Sequence, residues 1–149
     1  MKQVRILLVE DNEGDIVLTL EALEESKFSS IVDLARNGQQ ALDHLLRNEG
    51  YEQAAQPDLI LLDINLPLVS GHEVLSEIKT NEQLKHIPVI MLTTSSSAKD
   101  IKKAYGNHAN CYICKPAEIN DFVHVIEGIE HFWFSICSLQ SSKLKRLSI

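Results

Sequence analysis

Three carboxylates, a hydroxyl and an ammonium group each stand at the carboxyl end of an apolar run. Glu10 and Asp11 follow Val4–Val9, Asp63 follows Leu59–Leu62, Thr93 follows Val89–Leu92, and Lys115 follows Cys111–Cys114. Brought together, such groups make a site for phosphoryl transfer onto a carboxylate. Close carboxylates repel, each pair by about 4 kcal/mol at ~4 Å and an effective dielectric of ~20, and a bound cation relieves that cost. A small set of hard oxygen ligands suits Mg²⁺, which keeps several waters and accepts one or two protein carboxylates together with phosphate oxygens. Asp11 and Asp63 are then the expected direct ligands, with Glu10 acting nearby or through water. Asp63 would be the nucleophile, Mg²⁺ would neutralise developing charge, and Thr93 and Lys115 would hold the phosphoryl oxygens. Taken singly, each acid reads as an ordinary solvated loop residue; the whole set at matching positions points to a site.

The elements that must position these groups are legible as an alternation. Apolar runs near Val4–Val9, Ile31–Leu34, Leu59–Leu62, Val89–Leu92 and Cys111–Cys114 are separated by segments of helical periodicity. That alternation marks an α/β fold with a parallel sheet covered by helices on both faces. The spacing predicts helices over Glu13–Ser26, with Ile16, Leu20 and Leu23 in one stripe and Asn12 as N-cap, and over Gln39–Arg47, His72–Lys79 and Ala98–Tyr105. The last helix begins near Glu118, and its stripe is Ile119, Phe122, Ile126, Ile129 and Trp133. In an open parallel sheet the crevice outside the carboxyl ends of the strands binds ligands, so the separated groups converge there.

At 149 residues there is room for one domain, expected over residues 1–134 with a tail at 135–149, and Glu49–Gln56 reads as a polar loop. The net charge of −7 and a lone compact basic cluster, Lys143, Lys145 and Arg146, argue against nucleic acid as a direct partner. Met1-Lys2-Gln3 leads straight into an apolar strand, and no apolar stretch approaches the ~18 residues of a membrane span, which suits a cytoplasmic protein without membrane association. Cys111 and Cys114 spell C-x-x-C, but on a strand they point to opposite faces and read as small core residues rather than a metal or redox site. The histidines are scattered and read as surface or interface residues rather than zinc ligands. The glycines assemble no phosphate-binding loop.

The chain resembles the receiver domains of two-component signalling over roughly Val4 to Glu130. The resemblance rests on Ile6-Leu7-Leu8-Val9-Glu10-Asp11-Asn12, Asp58-Leu59-Ile60-Leu61-Leu62-Asp63-Ile64-Asn65-Leu66-Pro67, Ser70-Gly71, Pro88-Val89-Ile90-Met91-Leu92-Thr93 and Tyr112-Ile113-Cys114-Lys115-Pro116, in that order and spacing. It implies a doubly wound, five-stranded, flavodoxin-like receiver fold, Mg²⁺ dependence, and phosphorylation of Asp63 by the phosphohistidine of a sensor histidine kinase. It also implies that the backbone carbonyl of Asn65 completes the metal site, that Thr93 turns toward the phosphoryl group, and that Tyr112 moves between outward and inward rotamers. Ala117 and Thr94 depart from the family's usual aromatic and small residues, which bears on loop closure and on the lifetime of the phosphoaspartate. Asn12-Glu13-Gly14-Asp15, the polar insert before Pro57 and His131-Phe132-Trp133-Phe134 are similar to stand-alone regulators paired with bacterial and cyanobacterial phytochromes.

Two other readings stay open on the sequence. A haloacid-dehalogenase-like phosphatase also uses a strand-end Asp with Mg²⁺, Ser/Thr and Lys, but usually carries a second Asp where this chain has Asn65. A phosphorylation-independent interaction module would not need the full set of acids, Thr93 and Lys115. Finally, Val125, Ile129, Phe132 and Phe134 exceed what one sheet-facing stripe requires, so a homodimer is expected through the last helix and its neighbouring strand, with the fourth helix completing the face.

Overall fold

The structure, a computed structural model, describes residues 3–140; the expected basic cluster Lys143, Lys145 and Arg146 and the end of the expected tail lie outside them. Strands and helices alternate: β1 (Val4–Val9), α1 (Glu13–Glu25), β2 (Ser30–Ala35), α2 (Gly38–Leu46), β3 (Leu59–Leu62), α3 (Gly71–Thr80), β4 (Val89–Thr93), α4 (Ala98–Gly106), β5 (Cys111–Cys114) and α5 (Ile119–Glu130). The sheet has the order β2-β1-β3-β4-β5, and every pairing is parallel. This is the expected doubly wound flavodoxin-like arrangement.

The strands lack polar alternation because both faces are covered. Leu7, Val9, Ile60, Leu62, Val89 and Met91 enter one core with Ala41, Leu45, Val74, Leu75 and Ile78 of α2 and α3. Ile6, Leu8, Leu59, Leu61, Ile90 and Leu92 enter the other with Ala22 and Leu23 of α1 and Phe122, Ile126 and Ile129 of α5. Asn12, Asn37, Ser70 and Ser97 cap α1 to α4, each accepting from the N–H three residues on. Gly71 opens α3 where a Cβ would stand 2.0 Å from the Asp63 carbonyl oxygen. Its N–H donates to the Ile64 carbonyl at 2.8 Å. Any side chain there would push α3 off the backbone that carries Asp63.

Several expectations are corrected. Ile119 does not belong to the buried stripe of α5: it opens the helix at the rim of the sheet and is 62% exposed. Ile129, expected on an outward dimer face, is 5% exposed and packs between α5, α1 and the sheet. Beyond Glu130 the helix continues as a π-helical segment, His131–Ile136, with the Cys137 N–H donating to the Phe132 carbonyl at 2.8 Å. The wider turn shifts the angular register. Phe134 accordingly faces inward and meets Phe28 edge-on, with ring centroids 5.8 Å apart. Cys114 is exposed rather than core, while Cys111 packs against the α1/α5 side. His72 is not on the surface but buried. Among the described residues no helix is long and apolar enough to cross a membrane.

Candidate functional site

Hydrogen bonding continues one residue past the strands and sets the site residues at the sheet's carboxyl end. Glu10 N–H donates to the Ala35 carbonyl at 3.0 Å, Asp63 N–H to the Val9 carbonyl at 3.1 Å, and Lys115 N–H to the Thr93 carbonyl at 2.7 Å. β1 and β3 are neighbours, with β2 on the far side of β1, so Glu10, Asp11 and Asp63 gather at the point where the winding reverses.

Three carboxylates meet there. Single oxygens of Glu10, Asp11 and Asp63 lie within 4.8 Å of one another. Glu10 and Asp63 are buried and Asp11 is exposed, which gives the cluster a closed floor and an open rim. Lys115 Nζ bonds Glu10 Oε1 and stands 2.9 Å from Asp15 Oδ2 and 3.4 Å from Asp63 Oδ2. The other Glu10 oxygen accepts the N–H groups of Asp11 at 3.1 Å and Asn12 at 3.2 Å, and Asp63 Oδ1 accepts the Ile64 N–H at 2.7 Å. Burial pushes the Glu10 carboxyl up to about 7; the Lys115 hydrogen bond opposes that rise and the Asp63 charge adds to it. Burial alone would lower the Lys115 ammonium, but its bonds to Glu10 and Asp15 and the Asp63 charge hold it above its ordinary value.

Asp15 was missed in the sequence. An acid in the first turn of a helix reads as a partner of the helix dipole, and only the fold brings it under Lys115. Asn65 lies exposed two residues beyond Asp63 in the β3–α3 loop.

Thr93 is fully buried, and its Oγ1 accepts the Ser95 N–H at 3.3 Å. Tyr112 donates its hydroxyl to the Ser95 carbonyl at 2.8 Å, and its ring packs partly against the core under α2 to α4. Its hydroxyl is engaged by the β4–α4 loop rather than left to water. Of the expected dimer residues, Val125 is half-buried, Ile129 and Phe134 turn inward, and Phe132 is 47% exposed. Tyr105 of α4, Ile119 of α5 and Ile136 of the π-helical segment are also exposed.

A parallel five-stranded sheet with strand-end acids, a hydroxyl and a lysine is the architecture of a receiver, and the response regulator receiver domain model matches residues 6–127. The chain belongs to that family, in which phosphorylation and Mg²⁺ binding are typical. The chain is 44% identical over 128 residues to the probable methanogenesis regulatory protein FilR2 of Methanothrix harundinacea, covering 86% of this chain and 82% of the relative. It is 42% identical over 137 residues to the response regulator Rcp1 of Synechocystis sp., covering 92% and 93%. Among solved structures, the phosphorylated cyanobacterial phytochrome response regulator RcpA superposes with a TM-score of 0.91 at 45% identity, covering 94% of this chain and all of that one (100%). The Mn²⁺-bound form of Rcp1 superposes at 0.89 and 41%, covering 93% and 99%.

Proposed function

We propose that this chain is a phosphoacceptor switch in which Asp63 takes a phosphoryl group from the phosphohistidine of a sensor histidine kinase. The observation that carries the reading is the Lys115 ammonium 3.4 Å from an Asp63 carboxylate oxygen, beside the oxygens of Glu10 and Asp11. An Asp63 oxygen forms the new bond to phosphorus as the bond to the donor imidazole nitrogen breaks, and that nitrogen keeps the electron pair. Lys115 offers its charge to the transferred oxygens. Thr93 accepts the Ser95 N–H at Oγ1, which leaves its own hydroxyl proton to donate to a phosphoryl oxygen.

Mg²⁺ fits this site, because the donors are hard carboxylate oxygens clustered beside a buried acid; Asp11 and Asp63 would hold it, with Glu10 nearby and the Asn65 carbonyl completing the set. When bound, it neutralises charge on the transferring group. The chain then acts as an acceptor that changes its interaction surface, and not as a phosphatase: Asn65 stands where a general acid is needed to release product repeatedly.

Similarity to RcpA supports a phytochrome-linked kinase as the phosphodonor. The acidic balance of −7 supports protein partners over nucleic acid or an anionic membrane surface, and membership of the receiver family supports a cytoplasmic signalling role. Phe132, Val125 and the exposed apolar residues of α4 and α5 support self-association on the α4–β5–α5 face. The test of function is incubation with acetyl phosphate and Mg²⁺. One phosphoryl group per chain, without turnover of p-nitrophenyl phosphate, is expected, whereas continuous hydrolysis of the latter would favour the phosphatase.

A further inference from the structure

Ser95 is the point through which both switch residues are held. Its N–H donates to Thr93 Oγ1 at 3.3 Å, its carbonyl accepts the Tyr112 hydroxyl at 2.8 Å, and its hydroxyl donates to Asp100 Oδ2 at 2.5 Å. Asp100, in the first turn of α4, presents its other oxygen to His72 Nε2 at 3.0 Å. His72 is 6% exposed and belongs to α3, next to the Gly71 that rests on the Asp63 backbone. The path therefore runs from the backbone of the acceptor strand, through α3 and α4, back to Thr93 and Tyr112.

The bonding sets the histidine's proton. Asp100 can only accept, so Nε2 must donate, and the buried Nδ1 has no hydrogen-bond partner among the described residues. The ring is therefore held through Nε2 alone, and Asp100 is its one polar anchor among the described residues. The bonds from Ser95 and then His72 hold the Asp100 carboxyl below its ordinary range, so the carboxylate stays ionised as a double acceptor. A loop hydroxyl alone would be free to rotate into water, whereas one bonded to a carboxylate that a buried ring holds in place is not.

We propose that His72 and Asp100 are positioning residues of the switch: His72 fixes Asp100, Asp100 fixes Ser95, and the Ser95 main chain orients Thr93 and Tyr112. The effect on phosphotransfer rests on Asp63 being the acceptor, but the clamp itself is readable without phosphorylation. His72→Leu fills much of the ring's volume without a donor, and His72→Gln restores an N–H near the place of Nε2.

The test uses the full chain labelled with fluorotyrosine, with the Tyr112 signal in ¹⁹F NMR assigned through Tyr112→Phe, together with rates of labelling by acetyl phosphate. His72→Leu is expected to move the Tyr112 signal and to slow labelling about tenfold, the scale of one lost charge-assisted hydrogen bond. His72→Gln is expected to return both toward wild type. A Tyr112 signal and rate unchanged in His72→Leu would overturn the proposal, as would a His72→Gln no better than His72→Leu. If His72→Leu does not fold, Ser95→Ala decides: an unmoved Tyr112 signal there overturns it equally, and a moved one supports it. Absence of labelling in wild type would count against the acceptor reading, while the Tyr112 signal would still decide the clamp.

Discussion

The Lys115 ammonium stands 3.4 Å from the Asp63 carboxylate although β4 lies between the strands that carry them. The side chain crosses over the end of β4 and comes to rest among Glu10, Asp15 and Asp63, where it is itself buried. Lys115→Ala removes the one cation facing these acids among the described ion pairs. Labelling by acetyl phosphate should fall about a hundredfold, the usual effect of losing a fixed partner for transferred charge. In chelator the variant should also lose about 3 kcal/mol in urea unfolding, because buried carboxylates are left uncompensated. Wild-type labelling would remove Lys115 from the site.

Glu10 gives the metal-free protein a specific pH dependence. Its carboxyl is raised from 4.5 to about 7, so the folded chain binds this proton more tightly than the unfolded one. The contribution to stability is fully present below the unfolded value and is lost as pH rises toward about 7. Glu10→Gln has no such proton to lose. In the presence of chelator, the stability difference should therefore shift in favour of Glu10→Gln between about pH 5 and about pH 8, as followed by urea denaturation. A constant difference across that range would contradict the assignment.

Asp11 is the exposed member of the acidic cluster and is not among the ion-pair partners of Lys115 in the described residues, so its loss should affect cation binding more than folding. Asp11→Asn should weaken Mg²⁺ by at least about tenfold in calorimetric titration, since one anionic ligand becomes neutral. Unfolding in chelator should stay within about 0.5 kcal/mol of wild type, as for other surface changes.

Self-association should respond to Phe132→Glu, which places a charge on the half-exposed ring without touching the site. Wild type should show dimer by light scattering at tens of micromolar, the range for a free energy of about 7 kcal/mol, and the variant should be a folded, phosphorylatable monomer. Monomeric wild type, both with and without phosphorylation, would end the proposal.

The convergence of Glu10, Asp11, Asp63, Thr93 and Lys115 was legible because each closes an apolar run, and parallel strands place such residues at one edge. Asp15 and Ser95 were not. Their partners are Lys115, a hundred residues away in the chain, and Asp100, reached only by a turn into α4. His72 looked like a surface histidine because helical spacing does not reveal that α4 lies over it. The misplacement of Ile119, Ile129 and Phe134 has a different cause: a stripe at spacings of three and four fits two neighbouring helix faces, and the π-helical segment from His131 alters the register with no mark in the residue pattern.

The central claim is that Asp63 accepts the phosphoryl group, and intact-protein mass spectrometry after incubation with acetyl phosphate and Mg²⁺ tests it most directly. Wild type should gain the mass of a single phosphoryl group, and Asp63→Asn, which keeps the size of the side chain at the buried end of β3, should gain none. Labelling of Asp63→Asn to the wild-type extent would contradict it.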